Sequence, residues 1–171
     1  MAFELTAPRA TAAGLAVLAR LSLTPVSARA AALREGDDRI QAAAAIRLCL
    51  ARNDPGSTCA GEAEAACLKR ARSDSGAAQE GCAIAERDAW ADLLPAAFAT
   101  ALGRLDDAKA AAQLRAAQQL WRRWRGAEVS VVFKLSAGGT IQDTATARRF
   151  SQITAARVRE LQQYDTVLDA S

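Results

Sequence analysis

Residues 114–128 read LRAAQQLWRRWRGAE, and this stretch decides the fold. Its apolar side chains recur at the spacing of one helix face, and the pattern continues beyond it, through Leu114, Ala117, Trp121, Trp124, Val131 or Val132, and Leu135. Asp106 and Asp107 precede the stretch, where acidic groups suit the positive end of a helix dipole. Residues 136–139, SAGG, form the next break. The sequence therefore predicts one long amphipathic helix between these two signals.

Further helical segments lie on both sides of this helix. Downstream, a last helix is predicted to start near Asp143 or Thr144, with an apolar face of Phe150, Ile153, Val158, Leu161, Tyr164 and Leu168. Upstream, residues 31–52 form one segment, and a second, capped by Ser57 or Thr58, runs to about residue 72. A third starts near residue 78 and carries Trp90, Leu94, Ala97, Phe98, Ala101 and Leu105 on one face. Pro95 within it is expected to kink or divide that helix.

The composition agrees with an all-α protein. Half of the 171 residues are apolar, many of them alanine, and only 5% are aromatic. Because each helix has only one apolar side, about five helices must bury these sides against each other in an irregular bundle. No stretch within residues 31–171 is long enough to link a second domain, so this range is predicted to be a single helical domain.

The charge balance argues against a nucleic-acid partner. The whole chain has a net charge of +3, but residues 1–30 contain three basic side chains and one acidic one. The remainder therefore carries 19 basic and 18 acidic groups, whereas a nucleic-acid-binding domain is expected to keep a basic excess in its folded part.

The N-terminal region has the features of a secretory signal peptide, which we predict over residues 1–30. Residues 10–19 are an apolar run, and residues 28–30, ARA, offer a small-x-small cleavage site. Arg20 interrupts the apolar run, so no stable membrane insertion is expected. An alanine-rich N-terminal helix, or a wrongly assigned start, is the alternative. Export would place the protein in the periplasm or outside the cell.

Four cysteines within 34 residues predict two disulfides in an oxidising compartment. Cys59 and Cys67 are predicted to share one helix, about 12 Å apart, which is too far for a disulfide between them. This excludes the pairing that also joins Cys49 to Cys82. In antiparallel hairpins the sequential pairing, Cys49–Cys59 and Cys67–Cys82, is favoured. The spacing contains no C-x-x-C pair and the chain has no histidine, so no metal site is predicted.

Four segments together resemble the LprI-type lysozyme-inhibitor family. They are residues 114–128, quoted above, Gly138-Gly139-Thr140-Ile141, residues 153–164 (ITAARVRELQQY), and the spacing of Cys82, Glu86 and Trp90. The family pattern is roughly L-R-x-A-Q-x-x-W-x-x-[FYW]-R-D-x-E-C, a Gly-Gly-[ST] loop, and C-x3-L-T-x-x-R-x-x-x-L. The resemblance covers about residues 59–165.

The resemblance implies an exported protein-binding domain that inhibits a lysozyme by steric occlusion. The Gly138, Gly139 and Thr140 loop is then the first candidate for contact. A non-inhibitory interaction or scaffold protein of the cell envelope is the alternative. Where family members often have cysteines this chain has Val129 and Arg149, which indicates that one disulfide has been lost as a pair. Pro95 and Gly126 replace a usual Asn and Asp.

Four polar side chains of these segments lie among apolar positions: Gln118, Arg125, Glu128 and Arg157. They are predicted to form a buried network that fixes the helix register, with a Glu128–Arg157 ion pair; a ligand-binding cluster is the alternative. Trp90, Trp121 and Trp124 are predicted core aromatics. Residues 121–125, WRRWR, also fit an anionic-surface patch, but an ordinary amphipathic face is the favoured interpretation.

Catalytic machinery is not indicated. The chain has no histidine, no reactive-cysteine signature and no recurrent pair of carboxylates on one helix face. The sequence therefore predicts a protein that is not an enzyme and that takes no cofactor.

Overall fold

The computed structural model of the chain describes residues 26–52, 54, 57–136 and 138–169, with side chains described between residues 34 and 164 of these ranges. They form five α-helices and no strand: α1 (Val26–Ala51), α2 (Glu62–Ala71), α3 (Gly76–Gly103), α4 (Ala108–Leu135) and α5 (Gly139–Asp169). The predicted all-α bundle is confirmed. Most of the predicted signal peptide, residues 1–25, lies outside the described residues, as do three residues of the first predicted turn, 53, 55 and 56.

The helices are arranged around α3. It packs against α1, α2 and α5, whereas α4 packs mainly against α5 and so lies at one edge of the molecule. The core is built from small alanines and a few large side chains, including Ile46, Trp90, Leu94, Val158 and Leu161. Among the residues that the structure describes, no helix combines the length and apolarity needed to cross a bilayer.

Both predicted disulfides are present. Cys49–Cys59 and Cys67–Cys82 have Cα–Cα distances of 5.8 and 5.6 Å. One premise of the prediction is wrong, however, because Cys59 lies before α2 with a φ of 63° rather than on the same helix as Cys67. The disulfides therefore tie α1 to the segment before α2, and α2 to α3.

The start of α2 differs from the prediction because another helix caps it. Ser57 accepts a hydrogen bond from the Cys59 amide instead of capping a helix. The carboxylate of Glu86 on α3 accepts the amides of Gly61 and Glu64, both at 2.7 Å. These are donors that the first turn of a helix leaves without a partner. A side chain distant in sequence thus sets where α2 begins.

The start of α4 was predicted correctly, and the start of α5 was not. α4 starts beside Asp106 and Asp107 as predicted, and Asp107 caps it by accepting the amides of Lys109 and Ala110 at 2.9 and 3.2 Å. α5 begins at Gly139, not near residue 143, because Gly138 and Gly139 adopt φ values of 93° and 61° and complete the reversal by themselves.

Pro95 does not divide α3, which continues to Gly103. The ring lies on the exposed side of the helix, next to exposed Ala91, whose carbonyl oxygen has lost its helical donor. Water can therefore hydrogen-bond that oxygen, and the helix persists across the proline.

Candidate functional site at the α4–α5 hairpin

Arg125 links α4 to α5 through both its charge and its planar surface. Its guanidinium carbon lies 4.8 Å from the ring centre of Trp121 and 4.1 Å from that of Phe150. Its Nη1 donates to Oγ1 of buried Thr154 at 3.2 Å. Burial, and then the charge of Arg122, lower the pKa of Arg125 from its ordinary value. The contact between α4 and α5 is called the seam below. The cation of Arg125 is held there between two aromatic rings, where cation–π attraction favours it.

Arg157 is the buried cation of the network. Only 5% of it is exposed, and its Nε donates to Oε1 of Gln118 at 2.9 Å. Its Nη1 lies 2.8 Å from Oε2 of Glu160, one turn further along α5. Gln118 is itself buried. The predicted burial of Gln118 and Arg157 is confirmed, and the charge of Arg157 is balanced by Glu160, which sequence reasoning missed.

Glu128 pairs with Arg149, so the predicted Glu128–Arg157 ion pair is wrong. The Oε2 and Nη2 atoms of the observed pair are 2.8 Å apart, and both side chains are partly exposed. The prediction placed the start of α5 four residues too late, and this shifted the expected partner along the helix. Arg149 is one of the two positions at which the resemblance implied a lost disulfide, and its ion pair joins the two helices at that place.

The three predicted core tryptophans have three different environments. Trp90 is completely buried, Trp121 is half-buried, and Trp124 is 48% exposed. The prediction for Trp124 is therefore wrong. α4 has one main neighbour, so only the narrow side facing α5 is covered, and Trp124 lies outside that side. Helical periodicity identifies an apolar side but not how much of it another helix covers.

The predicted contact loop forms the tip of the α4–α5 hairpin. Gly138 lies in the turn, while Gly139 and Thr140 are the first residues of α5. Two large apolar side chains flank this tip and are strongly exposed, Leu135 and Ile141. A Cβ on Gly76, at the start of α3, would come within 3.1 Å of Thr140 Oγ1. The tip therefore lies beside the first turn of α3.

Buried Glu86 is a structural residue whose role sequence reasoning missed. Besides the two amides at the start of α2, its Oε1 accepts the indole N–H of Trp90 at 3.2 Å. Three donors to one carboxylate compensate for its loss of water. The signal was available, because Glu86 lies midway between Cys82 and Trp90 on one face of α3, and an acidic residue on a core face needs partners.

An ion pair that lies outside the seam joins α2 to α5. Arg148 Nε donates to both carboxylate oxygens of buried Glu64, at 2.9 and 3.1 Å. This contact raises the pKa of Arg148, and burial opposes it less strongly. Sequence reasoning did not identify this pair, since 84 residues separate the two side chains.

A groove of about 360 Å³ runs along the outer side of the seam. Its walls include Trp121, Trp124, Arg149, Gln152, Arg157 and Glu160. The described residues bring together one group of three potential metal ligands, Cys49, Cys59 and Glu62. Two of these three sulfur and oxygen donors form a disulfide, so a single carboxylate is left and the group is unsuited to hold a metal ion.

The fold and the seam define a small helical domain whose helices are joined by disulfides, ion pairs and a buried polar network. The family model described as "Lysozyme inhibitor LprI" matches residues 67–161. This is more than half of the chain, and the chain therefore belongs to the LprI family. Comparison with curated proteins gave no match, and comparison with solved structures gave none.

Proposed function

We propose that this protein is exported to the periplasm or beyond, where it binds a lysozyme and inhibits it by occluding the substrate cleft. The family match over residues 67–161 is the observation that carries the proposal. Two disulfides support export, since such bonds persist in oxidising compartments. The signal peptide predicted over residues 1–30 has the same implication.

The tip of the α4–α5 hairpin is the contact surface that we propose. A retaining glycosidase holds its two carboxylates in a cleft about as wide as a sugar chain, so a narrow projecting element can fill it. Gly138, Gly139 and Thr140 reverse the chain tightly, and Ile141 supplies exposed apolar surface beside them. A contact of this kind blocks the sugar by occupying its place, without chemistry from the inhibitor.

Charge near the tip also supports this choice. α4 carries six basic side chains and one acidic one, so its flank would repel a basic lysozyme. Around the tip, exposed Asp74 and Asp143 offer acidic groups from the starts of α3 and α5. The tip is therefore better suited than the flank of α4 to approach a basic enzyme.

An inhibition assay tests the function directly. The purified, disulfide-bonded protein is titrated against lysozymes of several classes, with cell-wall hydrolysis as the readout and a soluble N-acetylglucosamine oligomer as competitor. We expect inhibition at micromolar concentration or below. We also expect the oligomer and the protein to compete for binding to the lysozyme. No inhibition of any class at micromolar protein would contradict the proposal and favour a non-inhibitory envelope scaffold.

A further inference from the structure

An exposed apolar ridge runs along α4, beside the side of this helix that packs against α5. Leu120, Trp124, Val131 and Leu135 are 64, 48, 52 and 81% exposed. Their offsets of four, seven and four residues keep them in one stripe, and exposed Ala127 fills the gap. At 1.5 Å per residue the ridge is about 22 Å long. Such a length of exposed apolar surface on one helix indicates contact with something apolar.

The charges of the molecule are separated between its two edges. α4 has six basic groups and one acidic group, whereas residues 31–107 have nine basic groups and thirteen acidic ones. Five of the α4 cations are exposed and form no ion pair with another described residue: Lys109, Arg115, Arg122, Arg123 and Lys134. Because α4 lies at the edge opposite α1 and α2, the protein presents one basic edge to its surroundings.

The same charges indicate which partner covers the ridge: a second copy of the chain, another folded protein or a lipid surface. In an antiparallel pair of α4 helices from two copies, each flank meets its own equivalent, so Arg123 and Lys134 would face the same cations of the other copy. Like charges held together in this way disfavour a homodimer. The ridge is convex, and a folded protein partner would need a matching groove with acidic edges. A lipid surface needs no such groove, because its headgroup region deforms around an inserted helix.

We propose that α4 docks the folded protein on an anionic lipid surface. The ridge of Leu120, Trp124, Val131 and Leu135 lies at the boundary of headgroups and acyl chains, and Arg123 and Lys134 lie at the level of the phosphates. Tryptophan is favoured at this depth, since its ring is apolar and its N–H is polar. The protein lies on the bilayer and does not span it, and this placement goes beyond inhibition of a lysozyme.

Binding to lipid vesicles tests the proposal. The disulfide-bonded protein is mixed with phosphatidylcholine vesicles with or without phosphatidylglycerol, and partition is followed by sedimentation and by tryptophan emission. Each basic side chain near an anionic surface raises partition about fivefold, so we expect at least tenfold tighter binding to the anionic vesicles. Binding should weaken as salt rises, and emission should shift to shorter wavelength as Trp124 leaves water.

Matched variants separate the ridge from the rest of the surface. The ridge variant Leu120→Gln/Val131→Gln is compared with Leu48→Gln/Ile40→Gln on α1, where the two side chains are 68 and 69% exposed. We expect the ridge variant to lose about tenfold or more of its binding, and the α1 variant to change less than twofold. In the same way, Arg123→Gln/Lys134→Gln should weaken anionic binding at least tenfold, and Arg34→Gln/Arg47→Gln less than twofold.

Three results would overturn the proposal. The first is equal partition into vesicles of both compositions, or into neither. The second is an equal effect of the ridge and α1 variants, which would indicate adsorption by charge alone. The third is a dimer in lipid-free solution that the ridge variant dissociates, since the ridge would then be covered by a second copy. Circular dichroism of each variant confirms that the helices are retained.

Discussion

Glu128 on α4 pairs with Arg149 on α5, with 2.8 Å between Oε2 and Nη2. The two residues lie ten positions before and eleven after Gly138, the centre of the turn. Gln118 and Arg157, a bonded pair further from the turn, lie twenty before and nineteen after the same residue. The contacts of the seam thus follow one antiparallel register, and the turn at Gly138 fixes it.

The two polar contacts of the seam should differ in their contribution to stability. We expect Gln118→Leu to lower the free energy of unfolding by about 2 kcal/mol, because it leaves the Nε donor of buried Arg157 without an acceptor. Glu128→Gln should cost less than about 1 kcal/mol, since the Glu128–Arg149 pair is partly exposed. Urea unfolding of both variants measures the difference. Equal costs would mean that burial does not distinguish the two contacts.

Glu86 should be essential to the position of α2. In Glu86→Gln one of the two accepting oxygens becomes an NH2 group, which cannot accept a hydrogen bond, so at least one of the three N–H donors loses its partner and we expect a loss of about 2–3 kcal/mol. Amide hydrogen exchange at Gly61 and Glu64 should become faster. Glu80→Gln, on a partly exposed position of the same helix, is the control and should cost less than about 0.5 kcal/mol. Unchanged exchange at both amides would contradict the capping role.

Removing the Cys67–Cys82 disulfide should destabilise the protein strongly. The bond closes a 15-residue separation, and the chain-entropy relation gives a loss of about 3 kcal/mol for Cys67→Ala/Cys82→Ala. Denaturant unfolding of the variant tests this loss. Peptide mapping without reduction should recover Cys49–Cys59 and Cys67–Cys82, and any peptide that joins Cys49 to Cys67 would contradict the observed pairing.

The three tryptophans should respond differently to truncation. Trp90→Ala should cost about 3–5 kcal/mol, as expected for a large side chain in a packed core. Trp121→Ala should cost about 2 kcal/mol, because half-buried Trp121 loses its contact with Arg125. Trp124→Ala should cost less than about 1 kcal/mol and remove most of the acrylamide-quenchable fluorescence. A Trp124→Ala loss comparable with that of Trp90→Ala would show that Trp124 is covered.

Local signals in the sequence predicted much of the fold. Turn signals and apolar periodicity located all five helices, the acidic pair Asp106 and Asp107 marked the start of α4, and the hairpin arrangement gave the right cysteine pairs. Each of these depends on residues close together in the chain. The predicted start of α2 was wrong because Glu86, 22 to 25 residues away, provides the cap that Ser57 was expected to provide.

The partners in the seam could not be predicted reliably, since they depend on where a helix starts. Arg157, the partner predicted for Glu128, lies eight residues beyond the observed partner Arg149, which is about two helical turns. The error of four residues at the start of α5 accounts for about half of this offset. The predicted burial of Trp124 was wrong for another reason. A sequence shows which side of α4 is apolar, but the number of helices that cover this side is a property of the whole bundle.

The measurement that tests cleft occlusion by the hairpin tip most directly is the inhibition constant of two matched variants against an inhibited lysozyme. Ile141→Arg changes the tip, and Ile40→Arg changes an equally exposed isoleucine on α1. A contact at the centre of an interface contributes about 1.4 kcal/mol or more, so Ile141→Arg should raise the inhibition constant at least tenfold, and Ile40→Arg less than twofold. An Ile141→Arg variant that inhibits as strongly as the unmodified protein would contradict occlusion by the tip.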